Sequence, residues 1–116
     1  MASSSLAVRV LPEPLRSLAF GSVGASYAAI GTPLDHPGRI VLFQNATNQS
    51  VYISWNGIDD HFYLAAESFI LFDFGTNRGG NASELAVSQN TQFYTKHAGS
   101  APTSGLVVVS SLYGKE

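Results

Sequence analysis

Cysteine is absent from this chain, so neither disulfides nor thiolate metal sites hold its fold. That absence fits a reducing cytosol, or a particle assembled there. Charge is nearly as scarce. Asp, Glu, Lys and Arg make up 12% of the 116 residues, roughly half the usual share. A surface with so few charges must expose uncharged polar and apolar groups, which favours burial against neighbouring subunits. The cations Arg9, Arg16, Arg39, Arg78, Lys96 and Lys115 are scattered, and the net charge is −2. With no basic run to neutralise phosphates, direct nucleic-acid binding is not expected.

Long apolar runs are missing too. The uncharged window from Ser17 to Leu34 has the length of a membrane span, but three glycines, several hydroxyl residues and Pro33 dilute it. No membrane partner is expected. The opening residues 1–14 lack a basic segment followed by a long apolar one, which argues against a secretory signal.

What the sequence does contain is turn signals at short intervals, separated by runs of β-branched and aromatic residues. Residues 39–45 (RIVLFQN) read as a strand. Residues 51–55 alternate, with Val51, Ile53 and Trp55 on one face and Tyr52 and Ser54 on the other. The two runs are expected to pair as a hairpin across the polar loop between them. Asn56-Gly57 then supplies a turn, because both residues tolerate positive φ. Further strands are predicted over 61–64, 68–73, 84–87, 92–96 and 106–113, with a glycine-rich loop over 75–81. Residues 68–73 carry apolar side chains on both faces, the pattern of a central strand or of a subunit contact. Residues 16–20 and 27–30 read as earlier strands, with a helix over 25–30 as the rival reading.

This count, eight or nine strands at spacings of roughly ten residues, predicts an all-β protein of about eight strands. The expected architecture is an antiparallel β-sandwich, jelly-roll-like, spanning residues 15–116. A chain of this size buries roughly two-thirds of the surface its unfolded form exposes, enough for one core.

Residues 1–14 look like an extended N-terminal arm outside that core. Pro12-Glu13-Pro14 forbids a helix and favours an extended path. Leu6, Val8, Val10 and Leu11 are apolar and would prefer to be covered, as when a segment pairs with a neighbouring chain. They are the candidate partner-binding residues, with a plain tail as the alternative.

Catalytic constellations are wanting. His36, His61 and His97 stand apart, with no H-x-H pair of the kind that small β-barrel metalloenzymes need. Asp59-Asp60-His61 follows a turn and reads as its solvated cap rather than a metal or acid–base site. No G-x-S-x-G surrounds a serine, and Gly21-Ser22-Val23-Gly24 lacks the lysine and helix of a phosphate loop. No catalytic residue, cofactor or metal is therefore expected, and the chain does not read as an enzyme. Tyr52, Trp55 and Tyr63 are the candidate ligand or interface aromatics. They fit core or interface packing best, with a carbohydrate-binding module as the reading from a different class.

The central residues 39–45, 51–57, 59–62, 64–66 and 69–73 are similar to small virion structural proteins of tailed bacteriophages and prophages. So are Leu15–Phe20, Ala25-Ser26-Tyr27, Ile30-Gly31, Gln92-Phe93-Tyr94, and 99–105 with the strand to Tyr113. The resemblance spans roughly residues 15–114 and leaves the arm outside. It implies a β-sandwich subunit present in many copies in a virion assembled in the host cytoplasm. The expected role is a capsid cement or decoration protein bridging major capsid proteins. The alternative is a neck, collar or tail-ring component beside the portal. Many copies of a modest interface suffice to stabilise such a particle.

Overall fold

The computed structural model describes residues 9–74 and 86–115. Its strands are Arg9–Pro12 (β1), Arg16–Ala19 (β2), Ala28–Ala29 (β3), Ile40–Asn45 (β4), Val51–Ser54 (β5), Phe62–Leu64 (β6), Ser68–Asp73 (β7), Tyr94–His97 (β8) and Leu106–Lys115 (β9). A single 3₁₀ turn, Phe20–Ser22, is the helical content among the described residues. The rival helix over 25–30 does not form, and the short β3 lies there instead.

Two antiparallel sheets result. The first runs β1-β9-β4-β7, with β2 also on β9, and the second runs β3-β8-β5-β6. β1 and β2 take successive stretches of one edge of β9: Pro12 faces Leu112, and Arg16 resumes opposite Val109. Counted as one broken first strand, they give eight strands in the order 1-8-3-6 over 2-7-4-5, a jelly roll. The expected β-sandwich is present.

Alternation explains which side chains meet inside. Val41 and Phe43 from β4, with Val107 and Val109 from β9, face Val51 and Ile53 from β5, and all six are buried. Phe93 closes the layer edge-on to Phe43, at 4.9 Å between ring centroids. Edge-to-face packing of this kind adds to the area buried, because ring edges and faces carry opposite partial charge.

Several expectations need correction. β4 and β5 do not form a hairpin: β4 pairs with β7 and β9, whereas β5 pairs with β6 and β8. The polar loop between them carries the chain from one sheet to the other. Buried Asn45 holds that crossover, its amide donating to the carbonyls of Gln49, Leu64 and Ala65 while its oxygen accepts from the N–H and hydroxyl of Thr47. The true hairpin is β5–β6, closed through Asn56-Gly57, where Gly57 has φ +77° as expected.

β7 is the outermost strand of its sheet path rather than a central one. The predicted strand at 92–96 begins two residues later, at Tyr94. Of the predicted strand at 84–87, Val87 forms an isolated bridge to Gly38, while Glu84 and Leu85 lie outside the described residues. So does the glycine-rich loop at 75–81.

Part of the predicted arm belongs to the body. Arg9–Pro12 is a strand of the chain's own sheet, so Val10 and Leu11 pair with β9 rather than standing free. Pro12 and Pro14 end β1 without releasing it, because the backbone N–H of Glu13, between them, still bonds to Ser111. Leu6 and Val8 lie outside the described residues.

Candidate functional site

Three parts of the molecule carry enough chemistry to be weighed as a site. The first lies where β1 gives way to β2. Glu13 and Arg16 form a buried ion pair at 2.8 Å, and Nδ1 of His36 donates to the other Glu13 oxygen at 2.8 Å. Burial alone would raise the Glu13 pKa. Hydrogen bonds from His36, the Asp35 N–H and Arg16, together with the Arg16 charge, outweigh that and hold it below the usual carboxylate value.

A cleft of about 380 Å³ opens beside Arg16, between Leu15, Ser17, Gly31 and Thr32. Yet the five N–H groups of Arg16 are already engaged by Glu13, by Ser111 and by the carbonyls of Pro14, Thr32 and Pro33. No donor remains for a ligand. This cluster fastens the N-terminal strand to the body.

The second part is the outer face of the five-stranded sheet. Its cross-strand rows read Phe69, Gln44, Val108, Ser17; then Leu71, Leu42, Ser110; then Asp73, Ile40, Leu112, Pro12. A solvated sheet face ordinarily alternates apolar-in with polar-out. Here the outward positions are themselves largely apolar, and Asp73 is the one charged residue in the three rows. Phe69 is 65% exposed and Leu71 53%. Val10, on the same face at the β1 edge, is 48% exposed. Contiguous exposed apolar surface of this kind makes the face a candidate interaction site.

The third part is the outer face of the four-stranded sheet. Tyr52 and Tyr63 project from it as adjacent cross-strand partners, their rings 5.8 Å apart. Tyr52 also faces Lys96 across β5 and β8, and the Lys96 ammonium lies 4.7 Å from the ring centre of Tyr27 and 5.7 Å from that of Tyr52. Asp60, on the loop between β5 and β6, pairs with Lys96 at 3.3 Å and accepts from the Tyr27 hydroxyl. That hydrogen bond and Lys96 hold Asp60 below its usual pKa; burial and the same carboxylate raise that of Tyr27.

Trp55 does not join these tyrosines. It turns inward, packing its ring against Phe62, Phe72 and Phe93. Alternation had placed it with Val51 and Ile53, and that face is the core. Asp59-Asp60-His61 does serve the turn: Asp59 accepts from the Asn56 amide, and His61 accepts from the N–H of Trp55. Only Asp60 does more.

Sequence reasoning picked Tyr52 and Tyr63 but missed Tyr27 and Lys96. Lys96 lies more than forty positions from Tyr52, and only the pairing of β5 with β8 brings them together. Among the described residues, no group of three or more acidic and histidine side chains converges to hold a metal. No helix among them is long and apolar enough to cross a membrane. Comparisons with family models, with curated proteins and with solved structures find no match.

Proposed function

We propose that this protein is a non-enzymatic virion structural subunit of a tailed bacteriophage or prophage, acting as a capsid cement or decoration protein. The observation that carries the reading is the largely apolar outer face of the five-stranded sheet, with Asp73 the one charge in its three rows. A jelly roll hosts capsid, lectin and enzyme functions alike, so the fold alone does not choose among them. The surface does. Nearly charge-free rows ending in exposed Phe69 and Leu71 suit docking onto an equally apolar shell surface. The resemblance that the sequence alone suggests for residues 15–114 is to the same class of protein.

Affinity for the shell arises from copy number rather than from one large contact. Four strands at about 4.8 Å and six residues at about 3.4 Å span a face of only ~400 Å² in projection. That is below the roughly 800 Å² per partner of a stable pairwise interface, so it suits a subunit that bridges neighbours repeatedly. Cryo-electron microscopy of the particle whose genome encodes the chain tests the proposal. Density for the jelly roll on the outer shell, with this sheet turned inward, is the expected result. A ring at the portal vertex would reassign the subunit to the neck, and absence from the particle would end the reading.

A further inference from the structure

The second sheet bears a feature that particle docking does not use. Residues Lys96, Tyr52 and Tyr63 stand side by side on β8, β5 and β6, and Tyr27 extends the line at the foot of β3. Three interstrand spacings make this row roughly 14 Å long. It consists of three phenol rings with one ammonium among them, on the face opposite the apolar docking surface. Tyr63 is 58% exposed, and Tyr27, Tyr52 and Lys96 are partly open to solvent.

Polar groups flank the row on both sides. Asp60 lies beside Tyr27 and Lys96, and the Ser50 hydroxyl accepts from Tyr63 at 2.9 Å. We propose that this row is a binding site for a neutral oligosaccharide of a few rings laid across the strands.

Pyranose rings present C–H groups on their faces and hydroxyls around their edges. The C–H faces suit above all the ring of Tyr63, the most exposed of the three, since Lys96 lies over Tyr27 and Tyr52. The edge hydroxyls suit the further N–H groups of Lys96 as donors and Asp60 and the phenol oxygens as acceptors, the O–H groups of Tyr27 and Tyr63 being given to Asp60 and Ser50. Lys96 is neutralised by Asp60, so the row has no net charge with which to select an anionic sugar or a phosphate chain. A free polypeptide strand is a poorer match, because the site lies on the sheet's face and offers no backbone edge. The inference gains significance from the proposed docking, which would leave this face pointing away from the shell, but the site stands whether or not the docking is correct.

The test uses the full chain in solution and needs no particle. Maltotriose, cellotriose and triacetylchitotriose are each titrated into the millimolar range while backbone and tyrosine-ring NMR shifts are followed. At least one is expected to shift Tyr27, Tyr52, Tyr63 and Lys96 together, with Tyr63→Ala weakening binding about tenfold, the loss of one stacked ring. Tyr63→Phe keeps the ring and is expected to retain most of the affinity. Should none of the three sugars move these signals, the proposal fails. It fails equally if binding survives unchanged in Tyr63→Ala with its fold intact. Either failure leaves the virion reading standing, since that is judged by particle occupancy.

Discussion

The carboxylate of Glu13 meets the guanidinium of Arg16 at 2.8 Å with both side chains almost wholly buried, at 3% and 4% exposure. Burying one such charge without its partner is costly, because the desolvation penalty then has no compensation. Glu13→Ala is therefore expected to destabilise the fold by about 3 kcal/mol. Chemical denaturation measures it; a loss near zero would show that the pair contributes nothing.

The same pair sets a pH dependence. The Glu13 pKa is lower in the folded protein than its ordinary value near ~4.3, so the unfolded chain binds the proton first. Its contribution is fully present above that ordinary value and is lost as pH falls through the folded one. Wild type is expected to lose more stability than Glu13→Gln on acidification below about pH 5. Parallel denaturant titrations along a pH series give the comparison.

Deleting residues 1–14 removes β1 and Glu13 together and leaves Arg16 buried without its carboxylate. Read from sequence, the body should fold without this segment. The structure changes that expectation. The truncated protein is expected to be less stable than full-length protein by at least the Glu13→Ala loss, and Arg16→Met is expected to recover part of it. Thermal melts of the three proteins decide the point.

Two glycines are expected to differ in their tolerance. A Cβ at Gly105, whose φ is +90°, would fall 1.9 Å from the Ala46 carbonyl oxygen, a backbone atom that cannot step aside. At Gly57, φ +77°, it would meet only the ring of Tyr94, at 3.2 Å. Gly57→Ala is expected to cost roughly 1–2 kcal/mol and Gly105→Ala clearly more. The reverse order of melting temperatures would contradict the close approach at Gly105.

On the outer face, Phe69→Glu with Leu71→Glu is expected to leave stability within about 0.5 kcal/mol per substitution, since both side chains are mostly exposed. Particle occupancy should fall sharply in the same variant. Normal occupancy, counted in the electron-microscopy reconstruction, would move the docking surface elsewhere.

Much of the fold was legible in the residues. β-Branched and aromatic runs located β4, β5, β7 and β9, and alternation placed Val51, Ile53 and Trp55 on one face. What eluded the reading was three-dimensional partnership. A polar loop between two strands reads as a hairpin whether the chain turns within a sheet or crosses to the other. Here Asn45, bonded to the end of β6, decides for the crossing. Likewise, E-P-L-R shows an acid three residues before a base, but not that both are buried. The prolines around Glu13 forbid a helix and favour an extended path, which in sequence reads as an arm outside the core. Yet that extended path is a strand paired with β9, and the N–H between the prolines continues the pairing to Ser111. Of the tyrosine row, only the register of β5 with β6 and β8 could show that Tyr52, Tyr63 and Lys96 align.

The place of β9 in its sheet has a consequence for how the protein is made. β9 lies between β4 on one side and β1 and β2 on the other, yet it leaves the ribosome after all of them. β4 can pair with β7 as soon as both are made, but β1 and β2 have no partner strand until residues 106–115 emerge. Such long-range pairing is slow to nucleate and prone to misassociation in the interval. The N-terminal strands thus wait longest for their place, and the sheet closes only when its central strand slots in between them and β4.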